Sequence, residues 1–260
     1  MIIQDAAFIA DSLGRFIVEH GPWTGHRIHL GYGVHTCNDF HEYCLSYRTH
    51  LYSLLLRDFG YSDISGLRIL DLACHEGAFS IEFARQGAVV VGIDGRESSI
   101  ARAAWAASMM GLECQFRVED VRNLRSQGPF DVVLCAGILY HLTAQDAVLT
   151  MRQIAETGCG LVIIDTHVAP SAIEENPFRL SELDTATVDG QAYEGRWYPE
   201  FPAGVSDESK MRDYTGSALD NEHSFWFRPA DLRRMVEGCG FRVYEAVPEK
   251  HTAATFVGRL

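Results

Sequence analysis

The feature that most limits the fold is an alternation of short apolar runs and helix-like segments between residues 68 and 165. The apolar runs are RILDL, AVVVGI, FDVVLCA and GLVIID, and residues 113–118 form a further strand-like segment between the second and third of these runs, so that GLVIID is the fifth predicted strand. Near-continuous apolar strands of this kind are typical of a parallel sheet that is buried on both faces. The segments between them have helical spacing, with Phe79, Phe83 and Ala84 on one side of the first helix. This alternation predicts a doubly wound α/β fold.

The end of the chain adds a helix pattern at residues 229–238 and two strand patterns at 241–246 and 252–258. Proline in the first turn and glycine near the end are typical of helix boundaries. The link between the two strands is too short for a parallel crossover, so we expect them to pair antiparallel. The prediction is therefore a Rossmann-like, mostly parallel seven-stranded sheet with an antiparallel C-terminal strand.

Two segments lie outside the alternation. Residues 1–65 combine helical patterns with a loop rich in Gly and His, which predicts an N-terminal helical cap. Residues 168–226 hold 12 acidic and 4 basic residues together with many aromatic ones, which predicts an ordered insertion after the fifth strand that covers a substrate. The remaining residues, 66–167 and 227–260, are predicted to form the core domain.

The composition argues against several classes of protein. The 22 Lys and Arg against 35 Asp and Glu give a formal net charge of −13, which is unfavourable for a surface that follows nucleic-acid phosphates. No apolar run is long enough to cross a bilayer, and the first residues lack the basic start of a signal peptide. The seven cysteines include no CxxC pair, as expected for buried thiols in a reducing compartment. We expect a cytoplasmic protein without membrane or nucleic-acid partners. A homodimer stays open, because the insertion could equally bury a dimer interface.

Residues suited to binding chemistry follow four of the predicted strands. The first motif is LDLACHEGAF at residues 70–79, which follows a strand and opens a helix. Such a turn presents backbone N–H groups and a helix N-terminus to a ligand. The second motif, VVGIDG, places Asp94 at a strand end, where a carboxylate can accept both hydroxyls of a ribose. The third and fourth motifs are VEDVRNL, with Asp120, and FDVVLCAGILYHL.

Together and in this order, the four motifs resemble those of the class I S-adenosylmethionine-dependent methyltransferases, over about residues 66–167 and 225–260. The first motif of that family reads acidic–apolar–Gly–x–Gly–x–Gly. Here the acid is Asp71, and the glycine positions hold Ala73, His75 and Gly77. The resemblance implies S-adenosylmethionine as the cofactor. The residues it implies for cofactor binding are Asp71, Ala73, His75, Gly77, Asp94, Gly95, Asp120, Val121, Ala136, Gly137 and Tyr140.

The resemblance also implies separate roles along the cofactor. Asp94 would bind the ribose, Asp120 and Val121 would flank the adenine, and Ala136 and Gly137 would line the methionyl side. A NAD-dependent dehydrogenase is the competing use of such a turn. The dehydrogenase fingerprint requires glycine at the first two positions, which are Ala and His here.

A closer similarity is to the tRNA wobble-uridine carboxymethyltransferase subgroup. The similar residues are the DGRE stretch at 94–97, the LYH motif at 139–141 and the DTH stretch at 165–167. In that enzyme the LYH tyrosine, matched here by Tyr140, touches the carboxylate of a carboxylated cofactor. That enzyme also presents a basic surface to tRNA, which this acidic chain does not predict. A tRNA-modifying enzyme is therefore the alternative to a small-molecule methyltransferase, and a non-catalytic cofactor-binding protein is a third hypothesis.

Histidines and aromatic residues supply candidates for catalysis and substrate binding. His141 and His167 are the predicted general bases, because an imidazole titrates near neutral pH, although either could serve only in packing. The predicted substrate-binding residues are Trp23, Tyr32, Trp197, His223 and Trp226. The irregular spacing of four loop histidines predicts no metal site; these are His26, His29, His35 and His41. The predicted reaction is methyl transfer to an O, N or C nucleophile of a small molecule in an enclosed pocket.

Overall fold

A computed structural model describes residues 5–37, 42–124, 129–173, 176–250 and 253–260 of the chain. His41 and Thr252, which the sequence patterns placed in a loop and a strand, lie outside the described residues. The contacts divide the chain into two compact units, residues 1–119 and residues 120–260. No helix within the described ranges combines the length and the apolar character needed to cross a bilayer.

The first unit begins with two helices that flank a small hairpin. Helix α1 is Ala6–His20, strands β1 and β2 are His29–Gly31 and Val34–His35, and helix α2 is Glu42–Asp58. Helix α1 is capped by the Asp5 carboxylate, which accepts a hydrogen bond of 2.8 Å from the N–H of Phe8. Its buried residues, among them Ile9, pack in one apolar cluster with Trp23 and Ile28. The same cluster includes Ile81 and Ala106, so it packs the first segment of the chain against the rest of the unit.

The rest of the first unit alternates strands and helices as the sequence predicts. Strand β3 is Arg68–Leu72, α3 is Ala78–Arg85, β4 is Val89–Asp94, α4 is Glu97–Met109 and β5 is Cys114–Val118. Strand β4 pairs in parallel with both β3 and β5. Four of the five residues of β3, and five of the six of β4, are buried, as in a sheet covered on both faces. The carboxyl ends of β3 and β4 therefore lie side by side, with Leu72 paired to Ile93.

The second unit continues the pattern with β6 at Val132–Ala136, α5 at Ala144–Glu156 and β7 at Leu161–His167. Strands β6 and β7 are parallel. Thr143 caps helix α5, and its hydroxyl accepts a hydrogen bond from the N–H of Asp146 at 3.1 Å. All residues of β7 except His167 are buried, so its end is the part that can meet a ligand.

The insertion after β7 is more regular than the sequence patterns indicate. These patterns predicted no strand within it, but the described part contains β8 at Asp184–Val188, β9 at Gln191–Pro199, helix α6 at Asp207–Asp213 and β10 at His223–Phe227. The three strands form an antiparallel sheet in the order β10-β9-β8. A two-residue turn joins β8 to β9, and both of its residues, Asp189 and Gly190, are left-handed, with φ of 51° and 80°. Many aromatic residues of the insertion are therefore held on strands.

The chain closes with α7 at Pro229–Gly238, β11 at Arg242–Lys250 and β12 at Ala253–Arg259. Strand β12 pairs antiparallel with both β7 and β11, which confirms the predicted antiparallel end of the sheet. Three strands of the first unit and four of the second belong to a mostly parallel seven-stranded sheet. The predicted Rossmann-like fold class is confirmed.

Gly195 on β9 offers a test of the insertion's packing. A Cβ at this position would overlap the carbonyl oxygen of Trp226 and the ring of Phe225. We expect Gly195→Ala to lower the free energy of unfolding by about 1–3 kcal/mol, because the crowded strands must move apart. The measurement is urea denaturation. Gly14→Ala is the control, because nothing lies within 4 Å of its Cβ position in α1, and it should be neutral or stabilising by up to about 1 kcal/mol. Equal stability of wild type and Gly195→Ala would contradict the described packing.

Candidate functional site

The turn between β3 and α3 keeps a glycine-like backbone although two of its three glycine positions are replaced. Ala73, His75 and Gly77 have φ values of 52°, 49° and 82°, so all three are left-handed. Residues with a Cβ adopt this conformation at a cost, and such strain is concentrated at functional sites. Gly77 cannot be replaced in the same way, because a Cβ there would lie 2.8 Å from the Cβ of Ala103. Close packing of α3 on α4 therefore requires glycine at the third position.

Asp94 at the end of β4 is the best-defined ligand group of this turn. One carboxylate oxygen accepts a hydrogen bond of 3.0 Å from the N–H of His75, and the other accepts one of 2.8 Å from the N–H of Arg96. A carboxylate has about four acceptor positions, so each oxygen can accept a further bond. Two oxygens held in a fixed orientation fit the vicinal hydroxyls of a ribose. The residues of the turn thus suit the adenosyl cofactor that the sequence predicts.

Asp71 lies deeper in the turn and has a different environment. It is 1% exposed, and its carboxylate accepts a hydrogen bond of 2.6 Å from the Ser80 hydroxyl. Burial raises the pKa of Asp71 from its ordinary value of 3.8 to about 7, against the opposing effect of the Ser80 hydrogen bonds; the charge of Asp94 adds to the increase. Asp71 is therefore enclosed by protein in the described structure.

Glu76 fastens this turn to the N-terminal segment. Its carboxylate is fully buried. One oxygen accepts from the N–H of Thr24 at 2.7 Å, and the other accepts from the N–H groups of Gly25 and His26 at 3.0 and 2.8 Å. The His75 ring faces the same segment, because a Cβ on Gly25 would lie 2.9 Å from it. The replacement of the second glycine by His75 thus directs a side chain toward residues 24–26.

His26 completes the connection by capping α3. Its Nδ1 accepts a hydrogen bond of 3.2 Å from the N–H of Ala78, the first residue of that helix. Burial, followed by the charges of His75 and Arg48, holds the pKa of His26 well below its ordinary value, which agrees with a neutral acceptor.

One group of possible metal ligands occurs at this connection. Ligand atoms of His26, His75 and Glu76 lie within 4.8 Å of one another. The hydrogen bonds to Glu76 and to His26 Nδ1 already account for this arrangement. The absence of a metal site stays a prediction.

In the second unit, the third motif forms a short 3-10 helix at Val121–Asn123, which Asp120 caps. Val121 is buried, whereas Asp120 accepts hydrogen bonds from the Arg122 guanidinium at 2.6–3.1 Å. Burial would raise the pKa of Asp120, but the bonds from Arg122 outweigh burial and lower it. Arg122 also bridges to Asp220 at 2.8 Å. Both oxygens of Asp120 are thus committed to this ion pair, which was not predicted.

The fourth motif places His141 beside a buried acid. Strand β6 ends at Ala136, Gly137 follows it, and residues 139–141 form a short 3-10 turn. His141 Nδ1 lies 2.9 Å from a carboxylate oxygen of Glu200, whose side chain is fully buried. Glu200 also accepts a hydrogen bond of 2.9 Å from the N–H of Ala218. Glu200 was not predicted as a site residue, because nothing in the local sequence pattern distinguishes it from the other acids of the insertion.

An aromatic cluster adjoins this pair, comprising Tyr140, His167, Phe178, Tyr198 and Trp226. His167 stacks on Trp226 with ring centroids 4.7 Å apart and an interplanar angle of 9°. Tyr140 meets the His167 ring edge-on at 4.6 Å, and Tyr198 stacks on Trp226 at 5.2 Å. The Trp226 Nε1–H donates to the carbonyl oxygen of Tyr140 at 2.9 Å. The described structure thus brings together both predicted catalytic histidines, Tyr140 and Trp226 in the second unit.

The other predicted substrate residues have different surroundings within their own units. Trp23 is 4% exposed and packs on Phe16 and Trp105, so it is a core residue of the first unit. Tyr32 lies at the exposed tip of the hairpin in the same unit. In the second unit, Trp197 donates to Asp184 at 2.9 Å, and His223 is exposed at the start of β10. Substrate binding by these four residues stays a prediction.

Comparison with known proteins agrees with the geometry. A family model described as "Methyltransferase domain" matches residues 63–211, which is more than half of the chain. The chain is similar to the ubiquinone biosynthesis O-methyltransferase of Caulobacter sp. (strain K31), with 36% identity over 110 residues, or 41% of this chain and 43% of that protein. The protein of the same name from Ruegeria sp. (strain TM1040) is 37% identical over 148 residues, or 56% and 55% of the two chains. The chain spans about half the length of these curated relatives.

Solved structures resemble the chain over a larger share. The N-terminal domain of EvdMO1 with SAH bound has a TM-score of 0.71 and 25% identity, and the match covers 96% of both chains. The same domain in the presence of SAH and D-fucose has a TM-score of 0.72 and 24% identity, again over 96% of both chains. The magnesium protoporphyrin IX methyltransferase of Synechocystis PCC 6803 with bound SAM has a TM-score of 0.53 and 16% identity, over 96% of this chain and 90% of that one. These similarities support the fold.

The three backbone bonds to Glu76 predict a measurable contribution to stability. We expect Glu76→Gln to lower the free energy of unfolding by about 1–3 kcal/mol, because the amide group of Gln would face backbone N–H groups and leave them unsatisfied. Urea denaturation measures the change. Glu19→Gln is the matched control, because Glu19 is exposed and should contribute within about 0.5 kcal/mol. Equal effects of the two substitutions would exclude a special role for Glu76.

The pKa of Asp71 predicts a pH dependence. Because the pKa is about 7 in the folded chain and 3.8 ordinarily, the folded state binds more protons between these values. The contribution of this group to stability is therefore complete below about pH 4 and is lost as the pH rises through about 7. Asp71→Asn should remove this dependence, so its unfolding free energy should rise relative to wild type between pH 4 and 8. A difference between the two proteins that does not change with pH would contradict the buried acid.

Proposed function

Because the chain belongs to the methyltransferase-domain family, we propose that it is an enzyme that transfers a methyl group from S-adenosylmethionine to a small-molecule acceptor. The observation that carries the proposal is the left-handed turn at residues 73–77 with the Asp94 carboxylate fixed beside it. When bound, S-adenosylmethionine supplies a methyl group that is already activated by its sulfonium. The chain's own residues then have the tasks of binding, orientation and proton transfer.

The first task is to hold the cofactor. Asp94 would accept the two ribose hydroxyls on the oxygens that His75 and Arg96 already orient. The family resemblance assigns Ala136 and Gly137 to the methionyl side. It also assigns Val121 and Asp120 to the adenine, and here Asp120 would act with Arg122 as an ion pair.

The second task is to remove a proton from the acceptor. We propose a hydroxyl acceptor, which is supported by the names of the O-methyltransferase relatives and by the pairing of His141 with Glu200. With Nδ1–H held by the Glu200 carboxylate, the neutral ring presents Nε2 as the proton acceptor. His141 Nε2 would take the proton of the acceptor hydroxyl, and the buried Glu200 charge would stabilise the resulting imidazolium.

The third task is to exclude water around the acceptor. The aromatic cluster supplies apolar faces next to His141, and Trp226 within it is 1% exposed. We propose that the cluster contacts the acceptor and that His167 serves there mainly by stacking on Trp226. The tRNA-modifying alternative rests on Tyr140 in the LYH motif, and a tRNA gel shift separates it from the small-molecule hypothesis.

Calorimetric titration with S-adenosylmethionine, S-adenosylhomocysteine and NAD tests the cofactor. We expect micromolar binding of the two adenosyl ligands and none of NAD. Asp94→Ala should weaken binding about 10- to 100-fold, because hydrogen bonds to a charged acceptor are lost. Asp11→Ala, at an exposed position on α1, is the control and should not change the affinity. Binding of NAD alone would overturn the proposal, and a salt-sensitive gel shift with tRNA would favour the alternative acceptor.

Turnover of the methyl donor tests the catalytic pair, with catechol and D-fucose as phenolic and alcoholic probes. We expect His141→Ala to lower kcat about 10²- to 10⁴-fold while cofactor affinity stays nearly unchanged. The kcat of Glu200→Gln should lie between those of His141→Ala and wild type, whereas His167→Ala should mainly raise KM. Glu222→Gln is the matched control for Glu200, because Glu222 is an exposed acid of the same segment. A wild-type rate for His141→Ala would remove this residue from the mechanism.

A further inference from the structure

A cavity lies within the first unit. It has a volume of about 420 Å³, which is in the range of small-molecule sites. Residues of the β1–β2 hairpin, of α2 and of α3 line it, and we call it the basic pocket. Its titratable lining residues are Arg27, His29, His35, His50, Glu82 and Arg85.

The charge of the basic pocket is opposite to that of the chain. Two arginines and three histidines face the cavity, and Glu82 is the single acid among the described lining residues. The whole chain, by contrast, has a formal net charge of −13. A concave surface that carries two guanidinium charges against one carboxylate, on an acidic protein, attracts a small anion and focuses the field on it.

The arginines are positioned for such a ligand. The Nε–H of Arg27 donates to the carbonyl oxygen of Cys37 at 3.2 Å, which orients the guanidinium. A guanidinium has five N–H donors in a planar fork that matches the oxygens of a carboxylate or a phosphate. Arg85 lies 3.7 Å from Glu82, and both side chains are more than one-third exposed, so solvent screens this pair. An anion in the pocket would therefore compete for Arg85 only with the weak interaction of the Glu82 carboxylate.

The hairpin holds two of the imidazoles close together. The rings of His29 and His35 have centroids 4.9 Å apart. The N–H of Gly33 donates to His29 Nε2 at 3.3 Å, and His35 Nδ1 lies 3.2 Å from the carbonyl oxygen of Gly33. Burial, then the charges of Arg27 and His29, lower the pKa of His35 against the Gly33 hydrogen bond. A bound anion would offset the two charges.

Apolar atoms from the side chains of Ile28, Ala78 and Ile81 also line the cavity. Such a floor suits a ligand that carries a hydrocarbon part beside its charge. We propose that the basic pocket binds the carboxylate or phosphate group of a small organic anion. This site is independent of the proposed methyl transfer, since none of its charged residues has a role there.

Titration with inorganic phosphate and with benzoate, followed by the histidine ring signals in NMR, tests the proposal on the full chain. We expect saturable shifts of His29 and His35 at millimolar concentrations and a higher pKa of His35 in the bound state. Arg27→Gln and Arg85→Gln should each weaken binding about two- to fivefold. Glu82→Gln should strengthen binding by a similar factor, because it removes the one acid. Arg15→Gln is the control, because Arg15 is an exposed arginine of α1 paired with Asp11.

The outcomes separate clearly. Binding of phosphate alone identifies a phosphate ligand, and binding of benzoate with phosphate extends the class to carboxylates. Absence of saturable binding for both probes overturns the proposal, as does an equal loss in Arg15→Gln and Arg27→Gln. If the arginine variants fail to fold, the gain in Glu82→Gln still decides the question. Calorimetry with S-adenosylmethionine on the same variants should stay at the wild-type affinity, so failure of the cofactor proposal is observed separately.

Discussion

The first unit depends on hydrogen bonds in which carboxylates at the β3–α3 turn accept from backbone N–H groups. Asp94 accepts hydrogen bonds from the N–H groups of His75 and Arg96, and Glu76 accepts them from three N–H groups of the N-terminal segment. Each bond satisfies a donor that would be costly to leave unpaired away from water. The same groups that hold a strained turn in shape also attach the first segment of the chain to it. The shape of the turn and its attachment to the N-terminal segment therefore depend on the same kind of hydrogen bond.

The second unit uses a buried carboxylate in a comparable way. Glu200 accepts from His141 and from the N–H of Ala218, so one acid fixes a ring and a loop together. Trp226 in turn fixes the LYH turn, because its Nε1–H donates a hydrogen bond to the carbonyl oxygen of Tyr140. The chemistry that we propose for His141 thus depends on residues of the insertion, where Glu200 directly follows strand β9.

The sequence predicted what depends on local periodicity and on strand ends. The parallel strands, the antiparallel close of the sheet and the position of Asp94 at the end of β4 all follow from patterns of a few residues. The insertion strands were missed, although Asp189-Gly190 is a typical two-residue hairpin signal. Glu200 could not be found in this way, because its partner His141 lies 59 residues away in sequence. The pairing of Asp120 with Arg122 is local, but an acid two residues before an arginine is too common to predict it.

The family match begins at residue 63, and this boundary separates two kinds of residue in the first unit. Asp71, Asp94 and the turn lie inside the match, where related proteins share a cofactor-binding architecture. Most basic residues of the basic pocket, among them Arg27, His29 and His50, lie before it. Glu76 and His75 join the two parts, since their partners are residues 24–26. The side chain that replaces the second family glycine, and the acid that follows it, thus connect residues 24–26, which precede the family match, to the turn inside it.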